Sequence, residues 1–538
     1  MPKIVFVTGG VLSSLGKGII AASIAKLLRA QGVNANAMKI DPYLNCDAGT
    51  LNPFEHGECF VTIDGFECDL DVGNYERFLG ITAVKEQNLM MGSAYKAVIE
   101  KERKGEFLGK TIQLIPHLTD EIKRRIEHAV QKTGADVLVV EIGGTVGDYE
   151  SEMVLEAARQ IKYSSDKHDA LFVHLALVPT IITGEQKTKP LQHSVKALLA
   201  RGIMPDVIIG RSDKPLPKAI REKIALFCNV SPEQVFFSPN VSTVYEVPLV
   251  LRDQGLAQAI ADKLDLKLKD KDLEEWEALV KKFKRLSEGD KRVKIGVVGK
   301  YAVAKDMYMS VFESLGHAGV HNDVFVDAEL VDSEGLESGK VPLDALKQYD
   351  GLVVPGGFGG RGVEGKISAV KYARENKIPY LGLCYGMQLA VIEYARNVLG
   401  LKDANSTEID ESTNYPVIDI LPEQKDVKEK GGTMRLGGQK EKVKKGTIAW
   451  ELYGKKDEIE KRHRHRFEVN PEYIERLEKA GMVFSAVSED GVKMEIMELP
   501  KETHPYFMGT QAHPEFDSRL EKPEPLFEAF IAAAKARK

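Results

Sequence analysis

Short apolar runs alternate along this chain with stretches whose apolar residues recur at helical spacing. The first run, residues 3–8, leads through glycines into a stretch with Ile20, Ile24 and Leu27 on one face and ends at Gly32, a common helix terminator. Repetition of a buried strand and a helix is typical of an α/β fold with a mostly parallel sheet. The further apolar runs in this half are 136–142, 171–178 and 206–209.

A second series of strand-like runs follows in the carboxyl half. Its members are 294–299, 351–355, 378–384, 482–487 and 507–509. The stretch between the two series is rich in Lys, Asp and Glu, yet Trp276, Val280 and Phe283 keep helical spacing within it. The predicted division is therefore an α/β domain at 1–265, a helical linker at 266–292 and a second α/β domain at 293–538.

Length and composition agree with two globular domains. The chain has 538 residues, 43% of them hydrophobic and 29% charged, which is too long for one core and too apolar for a disordered protein. Its net charge of -6 argues against a general nucleic-acid binder. Five cysteines without a C-x-x-C pair argue against a disulfide framework or a thiolate zinc site. With no signal-peptide pattern and no apolar stretch near the roughly 20 residues that span a bilayer, we expect a soluble cytoplasmic protein.

Residues 8–18, TGGVLSSLGKG, follow a predicted strand and open a predicted helix. In that setting, backbone N–H groups cradle a polyphosphate and Lys17 reaches its terminal phosphates. The motif departs from the standard P-loop: five residues rather than four separate Gly10 from Gly16, and Gly18 replaces the Ser or Thr that usually binds magnesium. We predict nucleotide binding, the alternative being a tight turn with an incidental lysine.

Two acidic positions are candidates to replace that missing hydroxyl. Asp71 lies in the Asp69-Leu-Asp71 sequence, and Glu141 ends an apolar run. Carboxylates at the carboxyl ends of strands face the ligand crevice of open α/β sheets, and hard oxygen ligands suit Mg²⁺. We predict a magnesium site at Asp71 and Glu141; the alternative is that these acidic groups are simply solvated.

The loop 184–192, GEQKTKPLQ, places Lys187 and Lys189 beside a threonine and is closed by a proline. Two lysines can hold a second triphosphate as point charges. The alternative is a solvated charged loop.

Residues 378–388, IPYLGLCYGMQ, end a buried-strand pattern in Cys384, which lies between Gly382 and Gly386. Small neighbours allow the sharp strand-to-helix turn that exposes a nucleophile, and the helix start supplies N–H groups to an oxyanion. Downstream, His513 and Glu515 provide a base and a carboxylate to orient it. The glycine-rich turn 355–361, PGGFGGR, offers a second oxyanion donor. A lone buried cysteine is usually inert, so the prediction rests on the combination.

The segment RHRHR suggests a third binding element. If it is a strand, Arg462, Arg464 and Arg466 share one face and could bind a carboxylate substrate. A solvated surface strand is the alternative.

Taken together, these motifs resemble those of the glutamine-dependent CTP synthase family over essentially the whole chain. The motifs concerned are GGVLSSLGKG, KIDPY at 39–43, EIGGTVGD at 141–148, the 184–192 loop, the Cys384 turn, RHRHR and HPE at 513–515. The resemblance implies an N-terminal P-loop-like amidoligase domain and a C-terminal class I glutamine amidotransferase domain. ATP would phosphorylate the 4-oxygen of UTP, and ammonia released from glutamine and channelled between the domains would displace that phosphate to give CTP.

The resemblance also implies roles for individual residues, with Lys17 and Lys39 in phosphoryl transfer. The ATP-binding positions are Ser13, Ser14, Leu15, Gly16, Lys17, Gly18, Ile19 and Asp71, with backbone contacts at Pro239, Asn240 and Val241. The UTP positions are Ser13, Lys187, Thr188, Lys189, Pro190, Leu191, Gln192 and Lys223, and the positions that contact inhibitory CTP are Asp148, Tyr149 and Glu150. The glutamine positions are Gly357, Tyr385, Gly386, Met387, Gln388, Glu408 and Arg466.

Regulation and assembly follow from the same resemblance. It implies activation by GTP with Arg361 in a lid, a homotetramer that shares the UTP site, and an ammonia gate at Pro53 and His56. Tyr385 departs from the family pattern, because leucine usually follows the nucleophile. That departure bears on the shape of the glutamine pocket and not on the mechanism.

Two other classes of function stay open at this point. One is a different amidoligase fused to an amidotransferase, of the kind that amidates corrinoid carboxylates, which would lack a loop for a second triphosphate. The other is a nucleotide-switched scaffold or filament protein, which would have no use for Cys384, His513 and Glu515.

Overall fold

The computed structural model of the chain describes residues 2–12, 15–164, 166, 168–269, 271, 273–300, 305–424 and 431–538. The chain forms two compact units, one made of Met1–Ala48 and Cys68–Lys281 and the other of Gly49–Glu67 and Lys282–Lys538. Both units are α/β, which confirms the predicted fold class. No sequence signal marked the segment Gly49–Glu67 as part of the second unit.

The strands match the predicted runs closely and add several that the pattern did not reveal. They are β1 (Lys3–Gly10), β2 (Ala35–Asp41), β3 (Phe60–Val61), β4 (Glu67–Cys68), β5 (Asn88–Met90), β6 (Val137–Ile142), β7 (Ala170–Leu177), β8 (Val207–Arg211), β9 (Val235–Ser238), β10 (Arg292–Gly299), β11 (Phe325–Asp332), β12 (Gly351–Val354), β13 (Tyr380–Leu383), β14 (Ala404–Ser406), β15 (Tyr415–Ile420), β16 (Arg435–Val443), β17 (Glu458–His465), β18 (Phe467–Val469), β19 (Val483–Ser488), β20 (Met494–Glu498) and β21 (Phe507–Thr510).

Helices fill most of the connections between these strands. The α-helices are α1 (Lys17–Ala30), α2 (Pro53–His56), α3 (Leu70–Leu79), α4 (Met91–Arg103), α5 (Thr119–Thr133), α6 (Glu152–Ser164), α7 (Lys189–Leu199), α8 (Lys218–Cys228), α9 (Val247–Asp253), α10 (Leu256–Leu264), α11 (Glu274–Glu288), α12 (Met309–His321), α13 (Ser333–Glu337), α14 (Val363–Glu375), α15 (Tyr385–Asn397), α16 (Ile448–Leu452), α17 (Pro471–Lys479) and α18 (Pro525–Arg537). Short 3₁₀ helices lie at Lys85–Gln87, Tyr149–Ser151, Pro232–Gln234, Val244–Glu246, Lys305–Tyr308, Leu343–Gln348, Pro422–Gln424 and Pro514–Asp517, and a π-helical turn at Leu114–Leu118. None of the described helices is both long and apolar enough to cross a membrane.

The first unit is built on a parallel sheet with the strand order β5-β2-β6-β1-β7-β8-β9. Its central strands are buried along their whole length, as expected when helices cover both faces. The register places Lys39 on β2 directly beside Glu141 on β6. Because parallel strands end at the same edge, the loop after β1 and the ends of β2 and β6 open onto one crevice.

The second unit has a mixed sheet with the order β11-β10-β12-β13-β21-β20-β19-β16-β17. It is parallel from β11 to β21 and antiparallel beyond. Strands β13 and β21 are neighbours, with Leu383 opposite Thr510. This pairing brings the carboxyl end of β13, which precedes Cys384, next to the segment that carries His513 and Glu515.

Helix α11 packs its first half on the first unit through Trp276. This side chain is 1% exposed, and its indole N–H donates to the Tyr245 carbonyl over 2.8 Å. Its ring lies 5.5 Å from those of Phe78 and Tyr245, and the Lys26 ammonium sits 4.1 Å from its centroid. One aromatic anchor therefore holds the charged helix to the core.

Substitution of Trp276 by alanine should destabilise the first unit by about 3–5 kcal/mol, because a large buried side chain and its hydrogen bond are lost together. Peptides from β1 and β7 should exchange their protected amides about a hundredfold faster in hydrogen-exchange mass spectrometry. The matched control is Trp450→Ala in the second unit, where the indole is only partly buried. Equal protection of β1 in both variants would show that Trp276 is not an anchor.

Candidate active sites

The P-loop region lies at the junction of β1 and α1, as predicted. Gly16 adopts φ +90° before the helix, and Lys17 donates from Nζ to the Gly144 carbonyl over 2.7 Å. A side chain at Gly9 would meet Lys17, since an added Cβ would lie 2.7 Å from its Cδ. Burial lowers the pKa of Lys17, although Glu141 opposes this effect. The predicted positions 15–19 all lie at this helix start, whereas Ser13 and Ser14 fall outside the described residues.

The structure explains why Gly18 replaces the usual serine or threonine. A Cβ added at Gly18 would lie only 1.9 Å from Oδ1 of Asp71. The Asp71 carboxylate thus occupies the space that a hydroxyl side chain would need. A magnesium-binding hydroxyl is expected at this position, and here the oxygen in its place belongs to a carboxylate from another part of the chain.

Lys39 lies at the centre of a buried acidic cluster. Its Nζ is 3.0 Å from Glu141 Oε1, 3.5 Å from Asp69 and 4.0 Å from Asp41, and it also contacts Asp71. Burial alone would lower the pKa of Lys39, but the four carboxylates raise it well above its ordinary value. The lysine is therefore fully charged, and the predicted pair Asp71 and Glu141 meets at its ammonium.

The placement of Asp69 and Asp71 differs from the sequence interpretation, which put both at a strand end. Asp69 is the N-cap of α3, where its side chain accepts the Asp71 N–H over 2.9 Å, and Asp71 stands in the first turn. Both carboxylates are stabilised there by the helix dipole. The error arose because β4 is only two residues long and the helix pattern begins immediately after it.

Negative charge exceeds positive charge in this crevice. Burial, followed by the charge of Asp69, raises the pKa of Asp41 to about 8. Burial also raises the pKa of Glu141, whose Oε2 accepts the Tyr75 hydroxyl over 2.5 Å. Four carboxylates against the ammonium groups of Lys17 and Lys39 leave a donor set of hard oxygens, which fits a divalent cation such as Mg²⁺.

A cavity of about 330 Å³ adjoins the P-loop. Its walls are Leu15, Leu177, Val178, Pro179, Thr180, Arg211, Ser212, Asp213 and Asn240. Two predicted ATP-binding positions, Leu15 and Asn240, thus share one cavity. The Asn240 amide is fixed by Arg211 over 2.7 Å and Asp213 over 3.1 Å, which orders the loop that also contains Pro239 and Val241.

The predicted triphosphate loop leads into α7. Thr188 is buried and its hydroxyl accepts the Gln192 amide over 2.9 Å, while Lys187 pairs with Glu185. The hydrogen bond and charge of Lys187 lower the pKa of Glu185, and the charge of the exposed Lys223 adds a small effect in the same direction. Of the remaining predicted positions, Lys189 and Pro190 begin α7 and Leu191 is buried, and Asp148, Tyr149 and Glu150 are all exposed.

Cys384 occupies the predicted nucleophile turn between β13 and α15. Its backbone has φ +47°, a strained conformation for a residue other than glycine. Gly386 is required here because an added Cβ would lie 2.0 Å from the Val354 carbonyl, and one at Gly382 would lie 2.7 Å from the Gly386 backbone. Two glycines therefore allow the close approach that a strained nucleophile turn needs.

His513 and Glu515 lie next to this turn. Nδ1 of His513 is 2.7 Å from Oε1 of Glu515, and its buried Nε2 has no hydrogen-bond partner among the described residues. Burial lowers the pKa of His513, but the charges of Glu515 and Cys384 outweigh it and raise the pKa to about 10. The contact with Glu515 and the raised pKa both favour the protonated form of the His513 imidazole.

The glycine-rich turn follows β12 and lies against the same histidine. A Cβ added at Gly356 would come within 2.7 Å of His513 Cε1, and one at Gly357 would be 3.6 Å from the Lys366 Nζ. Glu408 accepts the Gly359 N–H over 2.8 Å. The predicted residues Tyr385 and Glu408 therefore both contact the turn that contains Gly357.

The other predicted glutamine positions have more varied surroundings. Met387 is fully buried in the core, so its backbone alone is available to a ligand. Gln388 donates to the Phe467 carbonyl over 2.7 Å, and Arg466 donates to the Thr433 hydroxyl over 2.8 Å. Arg466 lies just beyond the end of β17 and is partly exposed.

The interpretation of three arginines as one carboxylate-binding face is wrong for Arg462. This side chain is 1% exposed, donates to the Val61 carbonyl over 3.0 Å and pairs with Asp517 at 3.3 Å. Arg464 is bound to Glu67 through a 2.8 Å contact. Asp517 neutralises Arg462 and Glu67 neutralises Arg464, and the segment Gly49–Glu67 contacts both arginines of β17, which strand alternation does not reveal.

The same segment packs toward His513 through two aromatic rings. Phe60 packs on Phe516 with centroids 4.8 Å apart, and Phe516 stacks on His513 at 5.2 Å with an angle of 11° between the rings. Pro53 and His56, the predicted ammonia-gate positions, begin and end α2 in this segment.

Comparison with known proteins identifies the family. Residues 3–266 match the family model for the CTP synthase N-terminus, and residues 303–533 match that for class-I glutamine amidotransferases. The CTP synthase of Pyrococcus abyssi is 53% identical over 540 residues, which cover 100% of this chain and 99% of that relative. This chain belongs to the CTP synthase family. The CTP synthase of Methanocaldococcus jannaschii is likewise 53% identical, over 542 residues that cover 100% and 99% of the two chains.

Among solved structures, the chain is similar to one described as the Trypanosoma brucei CTPS glutaminase domain with bound acivicin. The identity is 40% with a TM-score of 0.43, and the match covers 46% of this chain and 95% of that chain.

Sequence reasoning missed two residues that lie beside these candidate site residues. Gln511 donates from Nε2 to the Cys384 sulfur over 3.5 Å, and the thiol lies 3.8 Å from the Arg464 carbonyl. Lys366 is 1% exposed beside Gly357, and burial and Lys300 lower its pKa to about 7. Gln511 had a signal, since it stands in the same motif as His513. Lys366 had none, because it looks like any lysine on a helix.

Replacement of Glu515 by glutamine should lower the pKa of His513 by at least about one pH unit, because the nearest stabilising charge is removed. Histidine C2-hydrogen exchange followed by mass spectrometry measures this pKa in the intact chain. Folding favours the imidazolium, so its stabilising effect is complete below pH 6.5 and disappears as the pH rises to about 10. In the variant, the pH at which this stabilising effect disappears should be lower.

The matched control is Glu472→Gln, which alters an exposed carboxylate at the start of α17. A His513 pKa that is the same in both variants would contradict the assignment of Glu515 as the orienting carboxylate.

Proposed function

We propose that this chain is a glutamine-hydrolysing CTP synthase, a carbon–nitrogen ligase of pyrimidine nucleotide biosynthesis that uses ATP to aminate UTP at C4. The observation that carries the proposal is the presence of two separate reaction centres in one chain. One is a P-loop beside a lysine among four carboxylates. The other is a strained cysteine beside a paired histidine and glutamate.

The first centre suits phosphoryl transfer. Lys17 and Lys39 would neutralise negative charge on the phosphoryl group as it moves from ATP to the 4-oxygen of UTP. Ammonia then attacks C4 and phosphate leaves, which forms CTP. The cavity next to Leu15 and Asn240 suits the adenine of ATP, and Lys187 and Lys223 suit the triphosphate of UTP as point charges.

Asp71 and Glu141 would hold magnesium in this centre. The space that Asp71 fills beside Gly18 and the surplus of buried carboxylates support this assignment. A bound Mg²⁺ would screen the charges of the transferred phosphates. Lys39 would keep both carboxylates in place through its contacts with them.

The second centre suits amide hydrolysis through a thioester. The Cys384 thiolate attacks the side-chain carbonyl of glutamine, while the N–H of Tyr385 and an N–H of the turn at Gly357 stabilise the oxyanion. His513 gives its proton to the departing ammonia, and Glu515 keeps the imidazole oriented. Water then hydrolyses the thioester to glutamate with His513 as base. Glu408 and Arg466 suit the amino and carboxylate ends of glutamine.

Regulation and assembly form the finer part of the proposal. We propose GTP as an activator with Arg361 in the lid, CTP as an inhibitor at Asp148, Tyr149 and Glu150, and a homotetramer. Tyr149 is 92% exposed in the single chain, which suits a residue that contacts a ligand or another subunit. Ammonia would reach the first centre through the gate at Pro53 and His56.

Substitution of Cys384 by alanine should lower glutamine-dependent CTP formation by at least about three orders of magnitude, because the covalent step is lost. CTP formation from UTP, ATP, magnesium and ammonium should stay within about twofold. The matched control is Cys228→Ala, since burial raises the pKa of that thiol to about 12 and leaves it inert. Equal loss of both activities in Cys384→Ala would refute the two-centre division.

Replacement of Asp71 by asparagine should raise the magnesium concentration for half-maximal ammonium-dependent synthesis by about tenfold or more, because a hard anionic ligand is lost. Glutamine hydrolysis by the same protein should be retained. The control is Asp262→Asn, an exposed carboxylate of the same unit. An unchanged magnesium requirement in Asp71→Asn would exclude Asp71 as a ligand.

A further inference from the structure

Side chains form hydrogen bonds with the backbone of two consecutive residues in the glycine-rich turn after β12. The Gly359 N–H donates to Glu408 Oε1 over 2.8 Å, and the Gly359 carbonyl accepts the Tyr385 hydroxyl, also over 2.8 Å. The preceding Phe358 carbonyl accepts Nζ of Lys300 over 2.7 Å. Both polar groups of Gly359 are thus engaged by side chains, which is unusual for a solvent-side loop.

Tyr385 holds an unusual position for such a contact. It directly follows Cys384 and begins α15, so its backbone N–H is the first oxyanion donor of the nucleophile turn. Its side chain is 2% exposed, and its ring lies 5.2 Å from Nζ of the buried Lys366. Tyr385 therefore contributes a backbone N–H donor, and its hydroxyl binds the glycine-rich turn that carries the second proposed donor.

We propose that Tyr385 is a positioning residue for glutamine hydrolysis: its hydroxyl fixes Gly359 so that the N–H donor near Gly357 keeps its place relative to the donor at Tyr385 itself. The inference rests on the proposed function of this site and adds one positioning residue to it.

The glycine content of the turn explains why such a contact is needed. Positions 356, 357, 359 and 360 are glycines, and Gly359 has φ +76°, so the backbone has wide conformational freedom before it is held. An oxyanion donor contributes about 10²–10³-fold to rate only when it is already aimed at the developing charge. Without the hydroxyl, the turn keeps its Glu408 and Lys300 contacts, but the Gly359 carbonyl is no longer held.

The test is Tyr385→Phe, which removes one oxygen atom and leaves the ring over Lys366. We expect kcat for glutamine hydrolysis to fall about tenfold, with KM within about twofold because Glu408 and Arg466 are unchanged. Alkylation of Cys384 by iodoacetamide should proceed at the unsubstituted rate, since this displacement forms no oxyanion. Amide exchange in peptides that cover 355–361 should become faster, while β13 and α15 keep their protection.

Tyr372→Phe is the matched control. Tyr372 lies on α14 in the same unit, and its hydroxyl has no hydrogen bond within the described part of the chain. Hydrolysis by Tyr385→Phe at the rate of this control would overturn the inference. So would an equal loss in iodoacetamide reactivity, which would place the effect on the thiol and not on the turn. Absence of glutamine hydrolysis in the unsubstituted chain would overturn the proposed function, and this inference with it.

Discussion

The ammonium of Lys39 lies among the carboxylates of Asp41, Asp69, Asp71 and Glu141, and the first reaction centre depends on this contact. Removal of so many charges from water costs several kcal/mol for each ion, and one lysine cannot compensate for four acids. The raised pKa of Asp41 expresses that imbalance. Such a cluster is a poor way to stabilise a fold and a suitable way to bind cations and a phosphoryl group.

Both centres form where two neighbouring parallel strands end. Lys39 and Glu141 meet because β2 and β6 are adjacent and in register, so their side chains reach the same edge of the sheet. In the second unit, β13 and β21 are adjacent, and Cys384 follows the first while His513 follows the second. Residues far apart in sequence thus meet where neighbouring strands end, as expected for open α/β sheets.

Local motifs were predictable from the sequence, and contacts between distant segments were not. The P-loop, the cysteine turn and the His513–Glu515 pair follow from strand endings, glycines and short spacings, which are visible along the chain. The placement of the Asp71 carboxylate beside Gly18 was predictable only in part. The missing hydroxyl was evident from the sequence. Which carboxylate occupies its space depends on how α3 packs against α1. The burial of Arg462 depends on Asp517 and on the segment Gly49–Glu67, which no periodicity assigns to β17.

That segment shows how closely the two centres are joined along the chain. Glu67 binds Arg464, whose carbonyl lies 3.8 Å from the Cys384 sulfur. Only Cys68 separates Glu67 from Asp69, the cap of α3, and Asp71 follows in the first helical turn. Within a few residues, the chain therefore runs from Glu67, which binds Arg464 near Cys384, to the carboxylates around Lys39. Glu67 and Asp71 are four residues apart, so a short stretch of backbone joins the surroundings of Cys384 to the carboxylates around Lys39.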